Sequence, residues 1–405
     1  MGTYESVRLV EALRSGVSSR KVSAVFSKGR EDILTEVLQD LEPVQRDGVS
    51  KGFLFRGAYG EGKTHLLNQI FNEAESRNFV VSLLPLSKET PFNNLRKVYP
   101  NVVAATYLPG ALMPGFEWKL RQLHQDSVKA EAISDFCRKR LHPKIELVFR
   151  NYLREEDSYN RFRLSADLAG QFINIPDLKA IHRLNFAEAL KMPRFTNEHV
   201  IDYFRFLGEF FKQEGYSGWV ILFDEAELLS RLGIASRAKA YCNMYSFLFG
   251  DAELGLVSTY TVFSFTSFFW DDIVLGGKED IILVPLRLSR TQDQAAAQKA
   301  KAVLEYLRDN CKALRPLGER DIREVLLKIC QLHGDAYGWE PKADVEPFVQ
   351  RPQARLRSKI RGTITALDLR KLYGEDVKVN IGRLEERKLQ EDEEFFAKDE
   401  DTDRT

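Results

Sequence analysis

The sequence predicts an α/β fold built on a parallel sheet, and three observations support that class. Short apolar runs at residues 52–56, 80–86 and 219–223 are typical of strands. The last run is almost wholly apolar, as expected of a strand buried on both faces of a parallel sheet. Segments with helical spacing of apolar residues separate the runs, and strands that alternate with helices indicate a layered α/β domain.

The first part of the chain divides into an N-terminal segment and a core. Apolar residues recur at helical spacing from residue 5 to about 41, which predicts a helical segment over residues 1–45. The core is expected over residues 46–290. Its stretch 92–211 is interpreted as a mainly helical insert, punctuated by prolines.

The elements after the insert are predicted in the same way. A helix over 226–249 is followed by strand candidates at 256–265 and 281–285. Residues 291–340 are expected to form a helical lid, and residues 341–384 a small winged-helix-like module. The acidic, polar tail over 385–405 is expected to be disordered.

Charge and cysteine usage exclude several classes of protein. Lys+Arg and Asp+Glu both total 59, so bulk charge does not favour a histone-like nucleic-acid binder, although a local basic patch remains open. The four cysteines are widely spaced and suggest neither disulfides nor a zinc site. With no secretory signal pattern and no long apolar span, we expect a cytoplasmic protein without a membrane segment.

A glycine-rich loop between a predicted strand and a predicted helix carries the most specific signal. Residues 57–64 match G-x-x-x-x-G-K-[ST], in which backbone N–H groups surround phosphate oxygens. In this pattern Lys63 reaches the β- and γ-phosphates of ATP, and the Thr64 hydroxyl binds Mg²⁺. We assign nucleotide contacts to the loop and the residue after it: Gly57, Ala58, Tyr59, Gly60, Glu61, Gly62, Lys63, Thr64 and His65.

An acidic pair follows the buried strand at 219–223. Asp224 is predicted at the carboxyl end of that strand, the edge where α/β sheets bind ligands, and would hold Mg²⁺ together with Thr64. Glu225 is the predicted general base for an attacking water, which favours ATP hydrolysis over transfer to a substrate hydroxyl. Taken alone, this acidic pair could also be the ordinary end of a strand, with no catalytic role.

Hydroxyl residues end the next predicted strand. In AAA+ ATPases a polar side chain at this point senses the γ-phosphate, so Thr266 is the candidate catalytic residue, with Ser264 and Ser267 as alternatives. The alternative is that these hydroxyls have no role beyond ending the strand.

Two basic stretches remain. Arg287 or Arg290 is a candidate arginine finger acting on a neighbouring copy in a homo-oligomer, with a structural arginine as the alternative. Residues 351–371 could contact DNA phosphates. Arg355 could instead face ATP as a second sensor, or the stretch could be a solvated helix face. The basic residues of this stretch are Arg351, Arg355, Arg357, Lys359, Arg361, Arg370 and Lys371.

Taken together, these motifs resemble those of the BREX-system ATP-binding family, the BrxD-like proteins of bacterial phage-defence islands. The resemblance rests on residues 11–17, on Gly29-Arg-Glu31, and on the strings at 56–67, 223–229 and 263–272. It implies an AAA+ type P-loop NTPase with a parallel sheet, a helical lid and a C-terminal winged-helix-like domain. It also implies an ATP-dependent role on DNA beside a helicase or methyltransferase partner. The rival hypothesis is a nucleotide-dependent signalling switch with negligible turnover.

Overall fold

The computed structural model describes residues 2–26, 28–187, 192–249, 255–350 and 354–374. Its strands are β1 (Lys51–Gly57), β2 (Val80–Pro85), β3 (Thr106–Tyr107), β4 (Trp219–Asp224), β5 (Thr259–Thr266) and β6 (Lys312–Ala313). Its helices begin with α1 (Thr3–Ser15), α2 (Arg20–Val25), α3 (Glu31–Asp47), α4 (Lys63–Ser76) and α5 (Leu95–Ala104). They continue with α6 (Glu117–Gln122), α7 (Val128–Arg140), α8 (Pro143–Arg154), α9 (Ser158–Leu168), α10 (Ile175–Asn185) and α11 (Ile201–Gln213). The last are α12 (Ile234–Leu248), α13 (Asp280–Arg290), α14 (Gln294–Asn310), α15 (Glu319–Tyr337), α16 (Glu346–Val349) and α17 (Leu356–Tyr373).

The strands form one sheet in the order β3-β2-β4-β5-β1-β6. Strands β2, β4, β5, β1 and β6 are parallel to their neighbours, and the two-residue β3 pairs antiparallel to β2 at one edge. All six residues of β4 are buried, as its apolar run predicted. The predicted mixed α/β class with a mainly parallel sheet is confirmed, and the architecture is consistent with a P-loop NTPase fold.

The chain separates into two compact units. The sheet unit comprises Asp32–Ala58 and Ile70–Leu314, and it contains the whole sheet and the mainly helical stretch 92–211. Its core includes a cluster of aromatic rings from β4, β5, α12 and the segment before α5, formed by Phe92, Phe223, Phe247 and Phe263. Edge-to-face and stacked contacts between such rings stabilise the packing of helices on the sheet.

The helical unit comprises Met1–Glu31, Tyr59–Gln69 and Arg315–Thr405. Helices α1, α15 and α17 pack on one another around a core of Leu9, Leu13, Leu326, Ile329 and Leu367. The predicted boundaries at residues 45 and 340 do not coincide with the two units, because helices from both ends of the chain share this core. The roles assigned to those segments, a lid and a winged-helix-like module, stay predictions, and the tail at 385–405 lies outside the described residues.

One predicted strand is wrong. Residues 281–285 lie in α13, which begins at Asp280. The Asp280 carboxylate is buried and receives two hydrogen bonds from Arg237 and one from Tyr241, each 2.7 Å long. A carboxylate fixed in the first turn favours a helix over a strand. The predicted helix over 226–249 is also divided, into a 3₁₀ turn at Ala226–Arg231 and α12.

The four cysteines are free thiols in the structure. Burial raises the pKa of Cys242 to about 11 and that of Cys311 to about 12, so neither thiol ionises near neutral pH. Over the residues that the structure describes, no helix combines the length and apolarity needed to cross a bilayer.

Candidate functional site

The predicted phosphate loop connects the end of β1 to the start of α4. Gly57 is the last residue of β1 and Lys63 the first residue of α4, so the loop has the strand-before and helix-after context that the motif requires. Gly60 and Gly62 have φ values of +82° and +91°, a backbone region that favours glycine. The Lys63 side chain is largely buried and Thr64 is exposed.

Within the helical unit, an arginine near the N-terminus holds the loop. Arg30 is 6% exposed, and its guanidinium donates hydrogen bonds to the carbonyl of Glu61 at 3.0 Å and to that of Arg315 at 2.7 Å. The sequence offered no reason to single out this arginine, except that it lies in one of the short strings that carried the family resemblance.

The start of α17 lies against the same loop. The Arg357 guanidinium donates a hydrogen bond of 3.2 Å to the Tyr59 hydroxyl, and Arg355 lies 5.7 Å from the centre of the Tyr59 ring. A side chain at Gly60 would approach the Arg355 side chain to 3.5 Å. The structure therefore brings the predicted second sensor, Arg355, beside the loop, and it adds Arg357, which sequence reasoning had placed only in a basic stretch.

The His65 ring is directed at the N-terminal segment of the helical unit. Its Nε2 lies 2.5 Å from the Phe26 carbonyl oxygen, which also accepts a hydrogen bond from Gln69. Because a carbonyl only accepts, Nε2 carries the proton in this arrangement. Burial lowers the pKa of His65, the hydrogen bond to Phe26 raises it, and the nearby charge of Arg30 lowers it. A role of His65 in nucleotide binding would therefore use its backbone N–H.

In the sheet unit, the carboxyl ends of the parallel strands bring the second group of predicted residues together. Asp224 ends β4 and is 5% exposed. Its Oδ1 accepts hydrogen bonds from the buried Ser264 hydroxyl and, at 3.0 Å, from the backbone N–H of Glu225. The Asp224 carbonyl also accepts a bond of 2.9 Å from the N–H of Leu86, which follows β2. The aspartate is thus held at the sheet edge from several sides.

Glu225 leaves the strand in an unusual conformation. Its φ and ψ are +57° and +36°, in the left-handed region that non-glycine residues rarely adopt. The side chain is exposed at the carboxyl edge of the sheet, in contrast to the buried Asp224 next to it. Backbone conformations of this kind cluster at functional sites, which favours a functional role for this residue over a plain strand end.

Thr266 ends β5 at the same edge. It lies opposite Gly57 in the pairing of β1 with β5, so it stands at the point where the phosphate loop begins. Its Oγ1 accepts a hydrogen bond of 3.4 Å from the N–H of Phe269. Of the hydroxyls considered from the sequence, Thr266 and Ser267 are half-buried at this edge, whereas Ser264 is fully buried and bonded to Asp224.

The described basic residues of 354–371 differ in their surroundings. Lys359 is 5% exposed and donates to the Val349 carbonyl, and Lys371 donates to the Tyr337 carbonyl. Arg370 lies 3.5 Å from Asp344. Arg351 lies outside the described residues. Because Lys359 is buried, only part of the predicted charge is presented to solvent, and contact of this stretch with DNA stays a prediction.

The oxygen donors at the two predicted metal positions suit Mg²⁺, which prefers oxygen ligands and keeps several waters. Asp224 supplies a carboxylate fixed by two hydrogen bonds, and Thr64 supplies a hydroxyl in the first turn of α4. The described residues contain no cluster of three or more His, Cys, Asp or Glu side chains that would indicate a dedicated all-protein metal cage. Each of the two side chains therefore offers a donor type that suits Mg²⁺, and their joint role stays a prediction.

Comparison with known proteins identifies a family. The model of the BREX system ATP-binding protein BrxC/D family matches residues 3–155 and 190–372, which include every residue assigned above to nucleotide or metal. A search of curated proteins found no match. Among solved structures, the chain is similar to the Walker-type ATPase PABY2304 of Pyrococcus abyssi, with 13% identity and a TM-score of 0.38 over 91% of this chain and 73% of that chain.

Proposed function

Because the chain belongs to the BREX system ATP-binding protein BrxC/D family, we propose that it hydrolyses ATP with Mg²⁺ and couples the cycle to DNA or to a DNA-bound partner. One observation carries the hydrolytic part of the proposal. The loop that begins at Gly57 starts at the same sheet edge that carries Asp224 and Glu225. Ligands bind at this edge in parallel sheets.

Each residue has a distinct role in this proposal. Backbone N–H groups of the loop and the Lys63 ammonium bind the phosphates, and Thr64 and Asp224 supply oxygen ligands to Mg²⁺. When bound, Mg²⁺ neutralises charge that develops on the phosphate oxygens. Glu225 accepts a proton from the attacking water, and Thr266 orients the γ-phosphate or that water. Arg355, beside the loop, contacts the bound nucleotide.

The test is phosphate release by the purified protein with Mg-ATP, with and without double-stranded DNA. Lys63→Ala should abolish nucleotide binding, since the loop loses the charge that faces the phosphates. Glu225→Gln should retain ATP but lower turnover by about 10²–10⁴-fold, the usual contribution of a general base. Native turnover in Glu225→Gln would show that the catalytic assignment is wrong.

Coupling to DNA needs a separate variant, because Arg355 and Arg357 lie beside the phosphate loop. Arg361 is half-buried on α17, and its substitution tests DNA binding without removing a residue that contacts Tyr59. We expect salt-dependent retention of DNA that weakens in Arg361→Ala while ATP affinity stays unchanged. If the native protein retains no DNA even at low salt, the proposed coupling to DNA is wrong.

The second candidate is a nucleotide-dependent switch that signals through protein contacts. It is favoured by the bond between Tyr59 of the loop and Arg357 of α17, which connects the phosphate loop to the helices that form the core of the helical unit. ATP binding without turnover, with or without DNA, would favour this candidate. The further expectations are a cytoplasmic location, a homo-oligomer with Arg287 or Arg290 as its arginine finger, and a helicase or methyltransferase partner.

A further inference from the structure

The side chain of Arg30 makes three hydrogen bonds to backbone carbonyls. Besides the bonds to Glu61 and Arg315, its Nη1 donates to the carbonyl of Gly29 at 3.2 Å. A guanidinium keeps its charge at any physiological pH and carries donors in a fixed, planar fork. Burial of such a group is costly unless its donors are satisfied, so the three carbonyls and the arginine constrain one another.

One of those carbonyls belongs to the phosphate loop itself. The described residues contain no cis peptide bond, so the C=O of Glu61 and the N–H of Gly62 point in opposite directions across one planar peptide. A carbonyl held towards Arg30 therefore directs the Gly62 N–H away from Arg30. Gly62 itself has a φ of +91°, so this peptide lies in a part of the loop where the backbone can turn freely unless it is held.

We propose that Arg30 is a positioning residue that fixes the Glu61–Gly62 peptide so that the Gly62 N–H faces the nucleotide phosphates. The inference rests on the proposed function, since it assumes that the loop binds phosphate. Phosphate loops bind through backbone N–H groups, and a peptide held in the binding orientation before the ligand arrives costs less ordering entropy on binding. The positive charge of Arg30 also favours an anion near this part of the loop.

A purely structural role for Arg30 makes a different prediction. Arg30 also attaches its segment to the Arg315 carbonyl, so its loss would destabilise the helical unit whether or not the loop is affected. Arg14 is a matched control in the same unit, because it bonds to Asp368 of α17 at 2.8 Å and is not seen to contact the loop in the described residues. Arg14→Ala thus reports the cost of losing a tertiary arginine contact alone.

The experiment measures ADP affinity by calorimetry and amide hydrogen exchange of the peptide spanning residues 57–65 in nucleotide-free protein. For Arg30→Ala we expect affinity to fall about tenfold, equivalent to about 1.4 kcal/mol, and exchange in the loop to accelerate. Arg30→Lys keeps the positive charge but loses the planar set of donors. Its ADP affinity and loop exchange rate should lie between those of Arg30→Ala and the native protein. Arg14→Ala should change neither quantity by more than about twofold, even if it unfolds at a lower temperature.

Native affinity and native loop exchange in Arg30→Ala would overturn the positioning role while leaving the proposed function intact. If the native protein itself binds no nucleotide, the proposed function fails. In that case the exchange measurement still tests whether Arg30 orders the loop, and unchanged loop exchange in Arg30→Ala would show that it does not. If Arg30→Ala does not fold, the same two readouts on Arg30→Lys decide.

Discussion

The Ser264 hydroxyl donates a hydrogen bond to Oδ1 of Asp224, across the boundary between two neighbouring parallel strands. Both residues are buried, with exposures of 0% and 5%. The same oxygen accepts the N–H of Glu225, so two donors orient the carboxylate that is proposed to bind Mg²⁺. Ser264, which is one of the alternative candidates for a γ-phosphate sensor, is therefore bonded to Asp224 on the neighbouring strand.

Removal of this hydroxyl in Ser264→Ala should weaken Mg²⁺ binding and so raise the Mg²⁺ concentration that nucleotide binding requires. Hydrogen bonds to charged groups contribute about 1.5–3 kcal/mol, so we expect the Mg²⁺ concentration for half-maximal binding to rise by about tenfold or more. A Mg²⁺ titration of fluorescent ATP-analogue binding measures this without requiring turnover. Thr261→Val is the control, because Thr261 is an equally buried hydroxyl on β5 that does not contact Asp224 in the described structure. An equal effect in both variants would indicate general damage to the strand.

A second prediction concerns the contact between the loop and α17. In a double-mutant cycle, Tyr59→Phe and Arg357→Ala should show a coupling of about 0.5–1.5 kcal/mol in the unfolding free energy without nucleotide, as expected of one hydrogen bond. If the helices respond to the nucleotide, this coupling should disappear when a non-hydrolysable ATP analogue is bound. Tyr59→Phe combined with Arg361→Ala should be additive throughout, since Arg361 does not contact Tyr59 in the described residues. Coupling that is the same with and without the analogue would argue against a switch that acts through this pair.

The sequence predicted the parts of the site that local pattern determines. The phosphate loop, β4 and the acidic pair each follow from a contiguous string whose residue types have a chemical reason. The approach of Arg355 and Arg357 to Tyr59 depends on contacts between segments about 300 residues apart, which no local pattern encodes. The burial of Lys359, which donates to the Val349 carbonyl, likewise depends on packing that the basic stretch does not reveal.

The failed strand has a different origin. A short apolar run such as 281–285 fits a strand or a helix equally well, and periodicity cannot decide between them. In the structure Ile282 and Leu283 are exposed on α13, so the run does not behave as a buried strand. The first turn of α13 is held by the bond between Asp280 and Arg237, and Arg237 lies 43 residues away in the chain, so the local pattern does not reveal this contact.

A third prediction is a dependence of stability on pH through His65. Burial lowers the pKa of this ring in the folded state. As the pH falls through the ordinary histidine range near 6.5, the unfolded chain takes up a proton that the folded ring resists, so the stability that neutral His65 provides is lost towards acid. The difference in melting temperature between the native protein and His65→Gln should therefore shrink as the pH is lowered from 8 to about 5.5. His124→Gln, which removes an exposed imidazole, serves as the control. A gap for His65→Gln that stays constant over this range would contradict the prediction.

The last prediction tests the ion pair that anchors α13. Arg237 and Asp280 are 6% and 0% exposed at their side chains, and the pair is bidentate, with both hydrogen bonds at 2.7 Å. Asp280→Ala leaves a buried guanidinium without its carboxylate and should cost about 3–5 kcal/mol in the free energy of unfolding. Denaturant unfolding followed by circular dichroism measures the loss.

The matched control lies on α14, which packs against α13. Glu305→Ala removes an exposed partner of Lys301, one helical turn away at 3.8 Å, and should cost less than about 1 kcal/mol. Because α13 carries Arg287 and Arg290 in its last turn, Asp280→Ala should also lower any turnover that depends on assembly of copies. Equal costs for the two substitutions would mean that the buried pair does not anchor the helix.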